Sequence, residues 1–133
     1  MLFDLSENQE LYIGILDGEE RYKKVLNALN YFEVHNVHVK YWMQFLNMGC
    51  LFASSFNFIL CVFSPDQSLT YLPLRTGPTN TVQIVPIMLY NEIHFMKVIL
   101  IERAPLPPLV PSWRMQRYPD AEHWVDVVKM RIF

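Results

Sequence analysis

Residues 57–64 read NFILCVFS: six apolar residues in unbroken succession between Asn57 and Ser64. A strand lying on a surface would alternate, and a buried helix would need a longer run. The stretch therefore predicts a short β-strand covered on both faces, the central kind found inside α/β sheets. Toward the C-terminus, SPDQS (64–68) supplies a turn. Pro65 presets φ there, and Asp66 and Ser68 can bond locally. LTYLPL (69–74) reads as the partner strand. Pro73 has no N–H to give a ladder, so that strand ends there or lies at an edge. RTGPTNT (75–81) is a loop, and VQIVPIML (82–89) is a further strand whose Pro86 points to an edge or a bulge. Asn91 and Glu92 make a tight turn, and HFMKVILI (94–101) completes a hairpin with His94 at its first position.

Toward the N-terminus, NMGCLFASSFN (47–57) predicts a helix with Met48, Leu51, Phe52 and Ser55 along one side. Gly49 lowers its helix propensity, a cost that points to close packing against a neighbour. GEERYKKVLNALNYF (18–32) predicts an amphipathic helix, because Tyr22, Val25, Leu26 and Leu29 recur at helical spacing. Glu19 and Glu20 suit its positively polarised start. Its apolar face is expected to meet the core. In VHNVHVKYWMQF (34–45) the pattern is ambiguous. His35 and His38 are three apart, but two histidines fall short of the three or four ligands that a metal site wants.

Beyond the hairpin, APLPPLVPSW (104–113) can continue neither a helix nor a central strand. It reads as a connector that hugs the surface, with a proline-reading partner groove as the functional alternative. PDAEHWVDVVKMRIF (119–133) predicts a last helix, with Asp120 near its start and Trp124, Val127, Val128 and Ile132 on one face. The order helix, helix, four strands, helix predicts an α/β class bordering on α+β: a small mixed β-sheet with hairpins, packed by helices.

At 133 residues the chain suits one domain, and 52% hydrophobic residues with 18% charged exclude a disordered segment. A net charge of -2 without a basic stripe gives no case for nucleic acid as a partner. Two cysteines, Cys50 and Cys61, without a CxxC pair argue against a disulfide framework or zinc. The longest apolar run is interrupted by Ser54, Ser55 and Asn57, so no membrane span is expected. The acidic start MLFDLSENQE does not resemble a signal peptide, which leaves an intracellular location, cytoplasmic or nuclear, as the expectation. No cofactor is expected.

The segments YWMQFLNMGCLFASSFNFILCVFSPDQSLTYLPLR (41–75), NEIHFMKVIL (91–100) and PLPPLVPSW (105–113) together resemble the C-terminal half of an OTU-like cysteine protease domain. The pattern is nearest to the divergent form found in plant proteins linked to mobile elements. A tryptophan opens it, a helix of the MG-and-AS kind follows, then the apolar strand, a PLR element and a histidine in an N-x-x-H-F context. The resemblance covers roughly residues 20–124. It implies a fold that cleaves isopeptide bonds of ubiquitin, and it maps His94 onto the catalytic histidine, the base that draws a proton from a thiol. It divides the chain into an N-terminal segment (1–18), a partial OTU-like domain (19–104), and a proline-rich connector with a C-terminal helix (105–133).

The resemblance also has a gap. The family's nucleophile sits in a DGxC loop, and LDGEE (16–20) has Glu20 where that motif needs cysteine. The family segment that LDGEERYKKVLNAL matches better lies later in the domain, so the nucleophile half is missing. Cys61 lies within a strand expected to be buried, and the resemblance implies that the helix carrying Cys50 packs away from the site. The position two after the histidine, where some members carry an orienting acid or amide, is Met96; Asn91 and Glu92 are near in sequence only. The expectation is a catalytically inactive fragment of a deubiquitinase-type thiol protease. The alternatives are a non-catalytic module that binds ubiquitin, a ubiquitin-like protein or another protein, a hydrolase using Cys50, and a truncated product that folds poorly.

Overall fold

The computed structural model describes residues 1–30, 45–91 and 94–132, with residues 45–47 described in their backbone alone. The readings placed on His35, His38 and Glu92 fall outside the described residues. The chain runs α1 (Leu2–Glu7), α2 (Gln9–Leu16), α3 (Glu19–Leu29), α4 (Phe45–Phe56), β1 (Ile59–Phe63), β2 (Leu69–Tyr71), β3 (Ile84–Tyr90) and β4 (His94–Lys97). It then closes with α5 (Pro111–Gln116), a 3-10 turn (Pro119–His123) and α6 (Trp124–Val128). The four strands form one mixed sheet in the order β2-β1-β3-β4. β1 pairs antiparallel with β2 and parallel with β3, and β3 pairs antiparallel with β4. The protein is thus of the α/β class bordering on α+β, with a small mixed sheet packed by helices.

The run at 57–64 forms the central strand that its composition predicts, and Ile59, Leu60 and Cys61 are fully buried. α4 covers one face of it. Asn57 ends that helix in the left-handed conformation (φ 54°), and the Phe58 N–H returns 3.2 Å to the Ala53 carbonyl. α4 packs on β1 and β2, and from Met48 to Ser54 it is buried nearly all round. The single side of Met48, Leu51, Phe52 and Ser55 is too narrow a description, because Cys50, Ala53 and Ser54 are buried too while Phe56 is exposed.

One expectation, that of Pro86, is corrected, and two segments take a definite place. Residues 1–18 form two short helices that bury Leu5, Leu11, Tyr12 and Leu16 in the same core as Leu60, Trp113 and Trp124. Their apolar spacing is too short to register as a period. Pro86 lies neither at an edge nor in a bulge but inside β3, between β1 and β4. Its carbonyl faces β4 and accepts the Val98 N–H at 3.3 Å. The missing proline donor falls on the same side, just past the end of β4, so it interrupts no ladder bond to β1. Residues 104–113, read as a connector that hugs the surface, run along the sheet edge. Thr70 donates its N–H to Pro108 O (2.8 Å) and accepts from Val110 N–H (3.0 Å), so this segment covers the outer edge of β2, with Leu106 and Val110 buried. In the last element the buried side is Ala121, Trp124 and Val128, and Val127 turns partly outward.

Burial falls steadily across the sheet. β1 and β2 are buried, β3 is mostly half-buried, and all four residues of β4 are exposed. Among the described residues the principal helix–sheet contacts fall on β1 and β2.

Candidate functional site

His94 opens β4 directly opposite Tyr90, after Asn91 has turned the chain in a left-handed conformation (φ 52°). The strand it opens is not core, as its apolar composition suggests, but the exposed margin of the sheet. Strand alternation splits the hairpin into two faces. Ile87 and Leu89 pack toward the core. Met88, Tyr90, His94 and Met96 share the opposite face and are exposed. Among the described residues no hydrogen bond or ion pair engages the His94 ring.

A cysteine acts as nucleophile only as thiolate. Cys50, on α4, is 3% exposed, and burial pushes its thiol up to about 12. Burial also raises the Cys61 thiol, against a smaller opposing hydrogen bond from Thr70. Both thiols stay protonated in neutral solution, inside the core, while His94 is on the outside. The LDGEE stretch is a helix–helix corner. Asp17 and Gly18 terminate α2 with positive φ, the Gly18 N–H bonds Ile13 O at 3.0 Å, and α3 starts at Glu19. Glu20 therefore lies in the first turn of a helix.

One polar constellation went unread in the sequence. Asp4 of α1, 8% exposed, accepts from the Tyr12 hydroxyl on one carboxylate oxygen and from Arg75 on the other. Arg75 Nε is buried without a partner. Burial holds the Tyr12 phenol above its ordinary range. The loop carrying Arg75 is fixed on several sides. Leu74 N–H donates to Ser54 Oγ (3.0 Å), Trp113 Nε1 to Pro73 O (2.8 Å), and Trp124 Nε1 to Thr76 O (2.7 Å). With no nucleophile in it, this constellation is an anchor for α1. Its members are 71 positions apart, a separation at which no sequence period couples them. A shallow depression between Ser6, Gln9, Glu19, Tyr22, Lys23 and Leu26 holds neither a cysteine nor a histidine.

Among the described residues no group of three or more His, Cys, Asp or Glu gathers, and no helix is long and apolar enough to cross a membrane. What the fold and site define is a small α/β unit with an exposed apolar hairpin and two buried thiols. No protein-family model matches the chain, and no curated protein and no solved structure matches it at a significant level.

Proposed function

We propose that this chain is the histidine-bearing half of an OTU-like domain, without catalysis, working as a protein-binding module through its β3–β4 hairpin. The observation that carries the reading is the exposed apolar surface of that hairpin: Met88, Tyr90, Phe95 and Met96 are 40%, 53%, 46% and 54% exposed. Scattered apolar side chains are ordinary on a surface, whereas Met88, Met96 and Tyr90 are neighbours in one ladder, the kind of grouping that marks a contact site. Catalysis is disfavoured because a general base supplies little without its nucleophile, and both thiols are protonated and buried. Ubiquitin is the first partner to try, on the sequence resemblance.

The experiment is an amide NMR spectrum of the labelled protein with and without ubiquitin. Shifts that move along 86–101 support the module and its partner. A dispersed spectrum that ubiquitin leaves unmoved removes ubiquitin as partner. A collapsed spectrum removes the folded module altogether.

A further inference from the structure

The solvent face of the hairpin carries a two-by-two array. Met88 and Tyr90 stand on β3, Met96 and His94 on β4, with Met88 across from Met96 and Tyr90 across from His94. The Val98-to-Pro86 hydrogen bond sets the phase of the ladder, so both cross-strand pairs are of the hydrogen-bonded kind, with Cα atoms about 5.5 Å apart. The diagonal from Met88 to His94 spans about 7–8 Å, within reach of long side chains. Each methionine has three rotatable bonds and ends near a polarisable sulfur. The two Sδ atoms and one imidazole nitrogen can therefore meet above the ribbon without moving the backbone.

This donor set is chemically selective. Two neutral thioethers and an imidazole make a soft site with no carboxylate and no thiolate. Soft thioether ligands select Cu(I), whereas zinc favours thiolate, imidazole and carboxylate, and calcium and magnesium require oxygen. We infer that Met88, Met96 and His94 form a three-ligand surface site for a soft monovalent cation of the Cu(I) and Ag(I) class. Tyr90 fills the fourth corner with a ring that offers no soft donor. Exposure suits such a site, since a neutral ligand set leaves the ion its charge and water can solvate it. The inference stands apart from the protein-binding reading, because it needs only the ladder register and the identities of three side chains.

The test uses the whole chain with its methionine ε-methyl groups labelled, titrated with Ag(I) as a redox-inert probe in chloride-free buffer. The expected result is saturation at one equivalent, with shifts confined to the Met88 and Met96 methyls and the His94 ring. The exposed Met115 and Met130 serve as internal controls and stay unmoved. Met88→Leu, Met96→Leu and His94→Gln are each expected to weaken binding by about tenfold or more, because loss of supporting groups alone costs metal sites that much. The leucine variants keep side-chain volume at exposed positions, so the fold survives them. Undiminished binding in the Met88→Leu/Met96→Leu double variant overturns the inference. So do equal shifts at Met115 and Met130, the absence of saturable binding, or binding to Cys50 and Cys61 with loss of the folded spectrum.

Discussion

Gly49 of α4 lies against the ring of Tyr71 in β2 so closely that a Cβ on Gly49 would stand 2.4 Å from two ring carbons. Tyr71 is 3% exposed, so its ring has no free side to swing toward. Gly49→Ala gains about 1 kcal/mol of helix propensity but overpacks the contact at about 1–3 kcal/mol. The expected outcome is a net loss of about 1–2 kcal/mol in urea denaturation. Adding Tyr71→Leu should recover part of it, since the two positions are coupled by contact.

The legible parts of this fold were those written in consecutive residues. The unbroken run around Leu60 gave β1, the glycine at 49 gave a close helix–strand approach, and the paired proline and turn residues gave the strand ends. What the sequence hid was long-range. The Asp4–Arg75 pair joins distant elements, and Pro86 is harmless because of where β4 stops. The exposure of β4 escaped a reading by composition for the same reason: HFMK has an apolar middle, but the principal contacts of the described helices fall on β1 and β2. His94 was placed at a strand mouth from sequence, and that is where it sits.

Arg75 and Asp4 are partly shielded, with side chains 27% and 11% exposed. Breaking a fully buried pair costs about 3–5 kcal/mol. Solvent access on the Arg75 side reduces that, so Arg75→Ala is expected to cost about 2 kcal/mol. Asp4→Ala should cost more, because it also strands the Tyr12 hydroxyl. The double variant Asp4→Leu/Arg75→Met should be milder than Asp4→Ala, since apolar replacement of both charged partners leaves no orphan charge and only the Tyr12 hydroxyl loses its acceptor. Chemical denaturation of the three variants checks the order.

Thr70 ties the segment 104–113 to the sheet. Its hydroxyl donates to Pro107 O at 2.7 Å, and the residue is fully buried. Thr70→Val keeps the shape and leaves the carbonyl without that donor, a loss of about 1–3 kcal/mol. Amide exchange at Val110, whose N–H bonds Thr70 O, should quicken if the strap loosens. Unchanged exchange there would mean that the backbone pairing alone holds it.

The buried thiols make a prediction that combines chemistry with pH. Neither Cys50 nor Cys61 should react with a neutral alkylating reagent in the native state, and both should react once the chain is unfolded. Stability should also depend on pH in one direction. The folded chain holds the Cys50 proton up to about pH 12. The unfolded chain releases it near 8.5. Between those values the unfolded state binds fewer protons, so stability falls as pH rises, by about 1.4 kcal/mol per pH unit for each such proton. Cys61, Tyr12 and Tyr71 are shifted the same way by burial and steepen the fall, the tyrosines joining at higher pH. Urea midpoints should therefore hold steady to about pH 8, as far as these groups decide it, and drop above that. Cys50→Ala should remove one proton's share of the slope. A native Cys50 that alkylates rapidly at neutral pH would overturn the account and return the hydrolase reading to consideration.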